Sequence, residues 1–379
     1  MLKIGITGQL GFVGSHLANT LSLDKERFVV INFKDEYFEE SSQLENFVRN
    51  SDVIVHFAAI NRHDDPDVLY DTNVNLAQKL IDVCEKTSSK PHIVFSSSIQ
   101  ENRDNHYGRS KKACRILLED WAHKHDASFT GMLIPNVYGP FGKPYYNSVV
   151  ATFCHQLTHD ENPVIEVDGE IGLVYVGELV SEIISAIGGR DNLESHPNIV
   201  TTRVIRASKM IRVSSLLEKL TQYRDLYFCK GAVPDLSDPF DLNLFNTFIC
   251  YIDHSRFYPF LLNPHSDKRG AFVETMKLNS GGQISFSSTV PGVTRGNHYH
   301  TRKAERFAVI KGQAKIEIRK IGSEKVLTFD LHGDNPSFVD MPIWYTHNIT
   351  NIGETELLTI FWINEHYDSE DSDTYFALV

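Results

Sequence analysis

Three histidines and one glutamate in the last third of the chain have the side chains and spacing of a metal site. His298 and His300 lie two residues apart, Glu305 follows soon after, and His347 is a fourth candidate ligand. Because successive side chains of a β-strand alternate between its faces, the first two histidines would point the same way. Imidazoles and one carboxylate suit a divalent metal and leave room for water or substrate. We therefore predict a metal site, with zinc favoured and manganese, iron and nickel left open.

A second group of residues, at the start of the chain, has the pattern of a nucleotide site. Gly8, Gly11 and Gly14 are spaced three apart, after the apolar run KIGIT and before an amphipathic stretch. Glycine lets the backbone turn tightly and approach a pyrophosphate, while a helix N-terminus offers free N–H groups and positive potential. The strand–loop–helix order therefore predicts a dinucleotide-binding site.

Tyr107 and Lys111 have the spacing of a proton-transfer pair. Residues four apart share one face of a helix, so the Lys111 ammonium would lie beside the Tyr107 phenol. A phenol has an ordinary pKa of about 10, and a neighbouring cation favours its ionised form. The pair predicts proton exchange with a carbonyl oxygen while hydride moves at the adjacent carbon.

The spacing of apolar residues differs between the first and the second part of the chain. From Met1 to about Ser237, apolar runs alternate with helical spacing, which predicts a parallel sheet covered by helices. After about Phe240, short strands follow one another without a long helical pattern, which predicts an antiparallel sandwich or small barrel. We predict an α/β domain over residues 1–243 and an all-β domain over residues 244–379. The expected strands include LKIGITG, FVVINFK, DVIVHFAA, HIVFSSS and GMLIPN, then GAFVETMKL, GQISFSS, ERFAVIKG, QAKIEIRK, VLTFDL and LLTIFWI.

The composition favours a folded protein with small-molecule partners. The chain has 379 residues, 41% hydrophobic residues and a net charge of -12, without a basic run of the kind that nucleic acid requires. The five cysteines include no CxxC pair, which argues against a disulfide framework or a thiolate metal site. We expect no membrane insertion, because no apolar run reaches about 18 residues. The N-terminus lacks the layout of a secretory signal, so we expect a cytoplasmic protein.

The first domain resembles the extended short-chain dehydrogenase/reductase family. Its glycine loop has that family's GxxGxxG spacing, and VIVHFAA, FSSS, YGRSK and PNVYGP resemble further family motifs. The resemblance implies a Rossmann-type doubly wound parallel sheet, and it implies that Ser98 works with Tyr107 and Lys111 in catalysis. The cofactor contacts that it implies are Gly8, Gly11, Phe12, Val13, Gly14, Ala58, Ala59, Tyr107, Lys111 and Asn136.

The residues after the second expected strand bear on the choice of cofactor. Proteins that bind NAD usually place an acidic residue there to hold the ribose 2′-hydroxyl. Here Asn32 occupies that region and Lys34 follows, and a lysine can pair with a 2′-phosphate. We therefore predict NADPH. The alternative is that Lys34 is only solvated and that Asp35 takes the acidic role.

The second domain resembles the cupin family. The first cupin motif is complete between Gly292 and Gly312. In the second motif, between Pro342 and Asn351, Trp344 stands where glycine is usual. The resemblance implies a C-terminal cupin β-barrel that holds a divalent metal through the three histidines and the glutamate named above.

Both domains in this order, over nearly the whole chain, resemble the bifunctional enzymes of bacterial capsular polysaccharide synthesis. The resemblance implies a homodimer that takes a UDP-linked 4-keto-6-deoxy-N-acetylhexosamine. It implies that the cupin domain epimerises C3 and that the reductase domain reduces the C4 ketone with NADPH, giving UDP-2-acetamido-2,6-dideoxy-L-talose. A 4-ketone acidifies the hydrogen at C3 and also accepts hydride, so one intermediate would serve both sites.

Several alternatives stay open on the sequence. The cupin domain could be a structural or dimerising module of a simple reductase. The chain could instead be an epimerase or dehydratase that retains NAD, or a regulator that binds a sugar nucleotide without turnover. Tyr299, Tyr345 and a water at the metal are candidates for the base that removes the C3 proton. Arg302 and Lys303, between two metal ligands, are expected to form a solvated turn.

Overall fold

The computed structural model describes residues 1–188, 199–268 and 270–379, which form two compact units. The first unit comprises Met1–Thr152 and Asp168–Val213, and the second comprises Phe153–Val167 and Ser214–Val379. None of the described helices is long and apolar enough to cross a membrane. The domain boundary expected near residue 243 stays a prediction.

The first unit is built on a parallel sheet. Its elements are β1 (Leu2–Thr7), α1 (Phe12–Leu21), β2 (Phe28–Ile31), α2 (Ser41–Arg49), β3 (Val53–His56), α3 (Pro66–Thr87), β4 (His92–Ser98), α4 (His106–His125), β5 (Phe129–Ile134), β6 (Asn136–Tyr138), α5 (Val149–Thr158, which continues into the second unit), β7 (Glu170–Tyr175), α6 (Val176–Gly188), β8 (Val200–Val204) and β9 (Lys209–Arg212), with 3₁₀ helices at Asp35–Phe38 and Ile99–Asn102. Six strands pair in the order β2-β1-β3-β4-β5-β8, all parallel, and β6, β7 and β9 form a smaller sheet.

The central strands are apolar on both faces because helices cover both. Val53 and Val55 of β3 belong to the core that includes Leu17 of α1 and Ile183 of α6. Ile54, between them, belongs to the core formed with α2, α3 and α4. A continuous apolar run such as VIV is typical of a strand that is buried on both faces. The Rossmann-type doubly wound sheet predicted from the sequence is confirmed.

The second unit begins with helices and continues as antiparallel strands. One prediction is wrong here, because an 11-residue helix, α8, runs from Pro239 to Ile249, where the sequence indicated no long helix. Asp238 caps α8 by accepting the Phe240 N–H at 2.8 Å, and Pro239 fills its first position. The elements are α7 (Val213–Lys230), β10 (Ala232–Val233), α8 (Pro239–Ile249), α9 (His254–Phe257), β11 (Phe260–Leu261), β12 (Pro264–Asp267), β13 (Gly270–Val273), β14 (Lys277–Leu278), β15 (Gln283–Thr289), β16 (Thr294–Tyr299), β17 (Glu305–Lys311), β18 (Gln313–Lys320), β19 (Val326–His332), β20 (Ser337–Met341), β21 (Tyr345–Asn351), β22 (Leu357–Ile363) and β23 (Tyr375–Phe376).

Two five-stranded antiparallel sheets make up most of the second unit. Their strand orders are β11-β20-β17-β22-β15 and β19-β18-β21-β16-β23. Val309, Ile316 and Ile318 are fully buried in the core that both sheets share. The antiparallel architecture is confirmed. No strand pairing joins the two sheets within the described residues, so the predicted closed barrel is not confirmed.

Candidate active sites

The glycine loop between β1 and α1 has the shape of a phosphate cradle. Gly8 has a φ of 68°, in the left-handed region that favours glycine. A side chain on Gly14 would clash with the Gly8 carbonyl oxygen. Gly11 is the N-cap of α1, and no side chain within the described part of the chain caps this helix. The N–H groups of Phe12 and Val13 therefore lie in the first turn of the helix, where they are available to a pyrophosphate.

The carboxyl ends of β1, β3 and β4 share one edge of the parallel sheet and bring further predicted residues to it. Ala58, which precedes Ala59 after β3, donates its N–H to Thr7 Oγ1 at the end of β1 over 3.2 Å. Ser98 is the last residue of β4 and is buried. Asn136 begins β6 after β5, and its side-chain amide donates to a carbonyl of β7 over 3.2 Å.

Three polar residues follow β2 at the same edge of the sheet. Asn32, Lys34 and Asp35 are all exposed, and Asp35 begins a short 3₁₀ helix that Lys34 precedes. The fold thus presents both a cation and an acid near the end of β2. NADPH stays a prediction at this point, since either the Lys34 ammonium or the Asp35 carboxylate could contact the ribose of a bound cofactor.

Helix α4 brings Tyr107 and Lys111 to the end of β4. The Lys111 Nζ lies 5.8 Å from the centroid of the Tyr107 ring and donates to a backbone carbonyl of β4 over 2.9 Å. A side chain on Gly108 would clash with the Gln100 carbonyl, so the start of α4 packs directly on the turn that follows Ser98. This close approach places the predicted phenol and ammonium beside the strand end that carries the predicted hydroxyl.

Burial controls the protonation of this pair. Burial raises the pKa of the Tyr107 phenol, and Tyr146 and Cys114 add to the effect. Burial also lowers the pKa of Lys111 to about 8. The direction for Tyr107 is opposite to the one that its spacing from Lys111 predicted, because desolvation outweighs the nearby ammonium. Tyr107 therefore holds its proton at neutral pH, which suits a proton donor to a carbonyl oxygen.

A partly buried ion pair beside this site was not predicted. The Arg115 Nε on α4 donates to both carboxylate oxygens of Glu101, at 3.0 and 3.1 Å. Ser97 donates its hydroxyl to the same carboxylate. These contacts tie the turn after Ser98 to α4. The partners are 14 residues apart on different elements, and the one signal in the sequence is that Arg115 lies four residues after Lys111 on the same helix face.

The fold brings the four predicted metal ligands together. His298 lies on β16 and His300 follows it, Glu305 begins β17, and His347 lies on β21. One ligand atom of each residue lies within 4.8 Å of every other. All except His298 are buried. Strands that are remote in sequence thus converge on one point.

Hydrogen bonds orient the imidazoles so that their Nε2 atoms face this point. The Nδ1 atom of His300 lies 2.6 Å from Asp373 O, and that of His347 lies 3.3 Å from Tyr345 O. A carbonyl oxygen only accepts, so both Nδ1 atoms carry protons and both Nε2 atoms are turned inward. The Nε2 atoms lie 3.4 and 3.0 Å from Glu305 Oε2, yet none of the three atoms has a hydrogen-bond partner among the described residues. This unpartnered donor set fits a divalent cation.

The charges at the cluster also favour a cation. Burial lowers the pKa of His298 to about 4, so His298 is a neutral ligand. Burial acts to raise the pKa of Glu305, but the neighbouring imidazoles outweigh it and the pKa is lowered. Burial acts to lower the pKa of His300, but the Glu305 carboxylate outweighs it and the pKa is raised. The site thus attracts positive charge.

Trp344, which replaces the usual glycine of the second cupin motif, keeps a backbone conformation that suits glycine. Trp344 has a φ of 62°, a conformation that is unusual for a bulky residue. Its N–H donates to His300 O over 2.7 Å, and its ring stacks on Tyr299 with centroids 5.8 Å apart. The tryptophan therefore preserves the turn before the His347 strand and adds a packing contact.

Packing accounts for the two tyrosines near the ligands. Tyr299 alternates with the two histidines of its segment, and its ring packs against Trp344 and Tyr375. The ring of Tyr345 lies 5.3 Å from the ring of His254 on α9. Burial raises the pKa of both phenols. These contacts give both residues a packing role and leave the base unassigned.

The turn between two metal ligands is less solvated than predicted, because Lys303 is buried although Arg302 is half-exposed. Lys303 is buried, and its Nζ donates to Ser372 O over 2.8 Å. Arg302 donates from Nε to Glu365 over 3.2 Å. Both partners lie more than sixty residues further along the chain, at separations of 69 and 63, so no local pattern indicates them.

Known proteins match both halves of the chain. Residues 4–199 match the NAD dependent epimerase/dehydratase family, and residues 265–375 match the polysaccharide biosynthesis C-terminal domain. The UDP-2-acetamido-2,6-beta-L-arabino-hexul-4-ose reductase of Pseudomonas aeruginosa is 32% identical, over 99% of this chain and 98% of its own. The spore coat polysaccharide biosynthesis protein SpsL of Bacillus subtilis is 30% identical over 30% of this chain and 81% of its own.

A solved structure matches along the full length. The capsular polysaccharide assembling protein CapF of Staphylococcus aureus has a TM-score of 0.62 at 31% identity and is covered completely, as is this chain. The structure of CapF with the inhibitor 3-isopropenyl-tropolone has a TM-score of 0.57 at 29% identity, again with complete coverage of both chains. The resemblance to the capsule-synthesis enzymes that the sequence indicated is confirmed.

Proposed function

The chain belongs to the NAD-dependent epimerase/dehydratase family, and we propose that it is a bifunctional UDP-sugar enzyme. The second unit epimerises C3 of a UDP-linked 4-keto-6-deoxy-N-acetylhexosamine. The first unit then reduces the C4 ketone with NADPH. The product is UDP-2-acetamido-2,6-dideoxy-L-talose, which leads to N-acetyl-L-fucosamine in a capsule or O-antigen.

The observation that carries this proposal is the full-length match to the Pseudomonas aeruginosa reductase. The name of that protein specifies a UDP-linked hexul-4-ose as the substrate of a reduction, and the match includes both units of this chain. Tyr107 and Lys111, at the end of β4, support the reduction because they offer a protonated phenol beside an ammonium. The cluster on the antiparallel sheets supports a second reaction at the carbon next to the ketone.

In the first unit, Ser98, Tyr107 and Lys111 act on the C4 carbonyl. NADPH, when bound, supplies the hydride. Tyr107 gives its proton to the carbonyl oxygen, and Ser98 donates a hydrogen bond to the same oxygen. Lys111, which is charged below a pKa of about 8, favours the negative charge that remains on the phenol.

In the second unit, His298, His300, Glu305 and His347 would hold the metal. When bound, a divalent ion supplies Lewis-acid stabilisation of negative charge on a carbonyl oxygen. The C4 ketone makes the C3 hydrogen acidic, and removal and return of a proton on opposite faces inverts C3. Phe307, whose ring lies 6.0 Å from that of His347, provides an apolar wall beside the cluster.

Finer features belong to the same proposal. We take zinc as the metal because three imidazoles and one carboxylate suit it. NADPH rests on Lys34 beyond the end of β2. A cupin barrel for the ligand-bearing sheets and a homodimer follow the resemblance to the cupin family and the capsule-synthesis enzymes. A boundary near residue 243 rests on the change in the spacing of apolar residues there.

Product analysis by NMR tests the proposal. Wild-type protein with the UDP-4-keto-6-deoxy sugar in deuterated water, without NADPH, should exchange the hydrogen at C3. Added NADPH should then be consumed in equal amount to the L-talo product. A product that keeps protium at C3 would contradict the epimerisation. Turnover without consumption of NADPH would contradict the reduction and indicate an enzyme that retains NAD.

One alternative has a specific observation in its favour. The name of the Pseudomonas aeruginosa relative mentions only a reduction, which favours a reductase whose metal site is structural. In that case His298→Ala would lower the stability of the second unit without changing the C3 configuration of the product. Loss of deuterium uptake at C3 in a folded His298→Ala protein would exclude this alternative.

A further inference from the structure

Asp373, near the end of the chain, contacts the metal site without being one of its ligands. It is buried, and its φ of 42° is uncommon for a residue other than glycine. Its backbone carbonyl is the acceptor for His300 Nδ1, 73 residues away in sequence, at 2.6 Å. Asp373 therefore fixes which imidazole nitrogen of His300 faces the cluster.

The Asp373 carboxylate also organises the turn between two ligands. Its Oδ1 atom accepts from the Thr301 N–H at 3.1 Å and from the Thr301 hydroxyl at 2.7 Å. Its Oδ2 atom accepts from the N–H groups of Arg302 and Lys303 at 3.0 and 3.2 Å. Hydrogen bonds to an ionised acceptor are stronger than those between neutral groups. One carboxylate thus holds three of the four residues that connect the ligand after β16 with the ligand that begins β17.

The residues after Asp373 attach it to the ligand strands. Strand β23 pairs with β16, where Phe376 lies opposite His298. The Ala377 N–H donates to a carbonyl of β16 over 3.0 Å, and the Ala377 carbonyl accepts from Thr346, the neighbour of His347. The end of the chain therefore contacts both strands that carry histidine ligands.

We propose that Asp373 is a positioning residue of the metal site and that residues 373–379 are part of this site. The inference rests on the proposal that the cluster binds a divalent metal. Asp373 orients His300 through its backbone and sets the path from His300 to Glu305 through its carboxylate. Without the carboxylate, the four groups that donate to it lose their acceptor and the turn is released. The expected consequence is weaker metal binding, because residues that hold ligands in place control metal affinity.

Zinc affinity of the full-length protein, measured by competition with a chromophoric chelator, tests the inference. Asp373→Asn keeps the side-chain shape and tolerates a positive φ, but it replaces an acceptor oxygen with a donor. We expect zinc binding to weaken about 10- to 100-fold. Asp371→Asn is the matched control, because Asp371 is exposed and contacts only the Arg302 side chain among the residues of the turn. It should bind zinc as the wild type does.

Each outcome separates the positioning role from the metal site itself. Equal zinc affinity in folded Asp373→Asn and wild type would overturn the role of Asp373 and leave the metal site standing. Failure of the wild type to bind zinc would overturn both. Should Asp373→Asn not fold, Thr301→Val removes a single donor to the carboxylate and should still weaken zinc binding about three- to tenfold. Unchanged affinity in Thr301→Val would then count against the inference.

Discussion

The two candidate sites differ in how the chain assembles them. In the first unit, Ser98, Tyr107 and Lys111 belong to one strand end and the helix that follows it. In the second unit, His300 and the carbonyl that orients it are 73 residues apart, and the ligands come from three strands. When the residues of a site are close in sequence, their spacing alone indicates the site. When a site is assembled from distant strands, the sequence indicates its ligands but not the residues that hold those ligands in place.

The largest expected effect comes from removing the phenol of the first site. Tyr107→Phe should lower the rate of NADPH-dependent reduction about 10²- to 10⁴-fold, because the proton donor to the carbonyl oxygen is lost. The loss of NADPH absorbance with the 4-keto sugar measures this rate. Tyr70→Phe, on helix α3, is the control and should reduce at the wild-type rate. A Tyr107→Phe protein within tenfold of the wild type would show that another group supplies the proton.

Removal of one predicted metal ligand tests the site in the second unit. His298→Ala should lower deuterium uptake at C3 at least about a hundredfold, since the cluster loses a donor. NADPH binding, followed by fluorescence, should be unchanged in this variant. His332→Ala removes an exposed histidine of β19 and should keep the wild-type exchange rate. Normal exchange in His298→Ala would assign the epimerisation to another group.

A change in the preference between NADPH and NADH is a smaller expected effect, and it concerns the first unit alone. Lys34→Glu should raise the ratio of the KM for NADPH to the KM for NADH about ten- to a hundredfold, because a charge-assisted contact to the 2′-phosphate is replaced by repulsion. Asp35→Asn is the matched neighbour and should leave the preference for NADPH in place. If Asp35→Asn instead weakens NADH binding and the wild type prefers NADH, Asp35 holds the ribose and the cofactor is NAD.

The smallest effect is a pH dependence confined to the reductase site. Burial lowers the pKa of Lys111 to about 8, so the ammonium is present below that pH and is lost above it. The kcat/KM for reduction should therefore fall about fivefold between pH 8 and pH 9. Lys111→Arg stays charged and should lose this inflection, whatever its absolute rate. A wild-type profile that stays flat to pH 9 would contradict the role of the charge.

The sequence predicted the elements whose signals are local. The apolar runs indicated the strands of the parallel sheet, because the central runs are buried on both faces, and the alternation of His298 and His300 indicated a shared face. It missed α8 because the two prolines and the acidic residues of VPDLSDPFDLNLF are typical of a link between domains, although the cap at Asp238 and the proline after it mark a helix start.

Long-range contacts and burial could not be read from spacing. The hydrogen bonds of Asp373 to the turn join residues that are 70 to 73 positions apart in sequence, so its role is visible only where the turn after His300 meets the end of the chain. Arg306, fully buried beside Glu305, pairs with Asp340 at 2.7 Å across two strands. The pKa of Tyr107 moves opposite to the predicted direction. The spacing in the sequence indicates that a charge is near the phenol, but it does not indicate how far the fold removes the phenol from water.

The most direct test of two separate sites is the rate of C3 deuterium uptake by Tyr107→Phe without NADPH. Exchange at C3 is expected in the second unit, so the variant should exchange C3 at the wild-type rate while it fails to reduce the sugar after NADPH is added. If exchange and reduction are lost together in a folded Tyr107→Phe protein, both reactions depend on the first site and the two-site account is wrong.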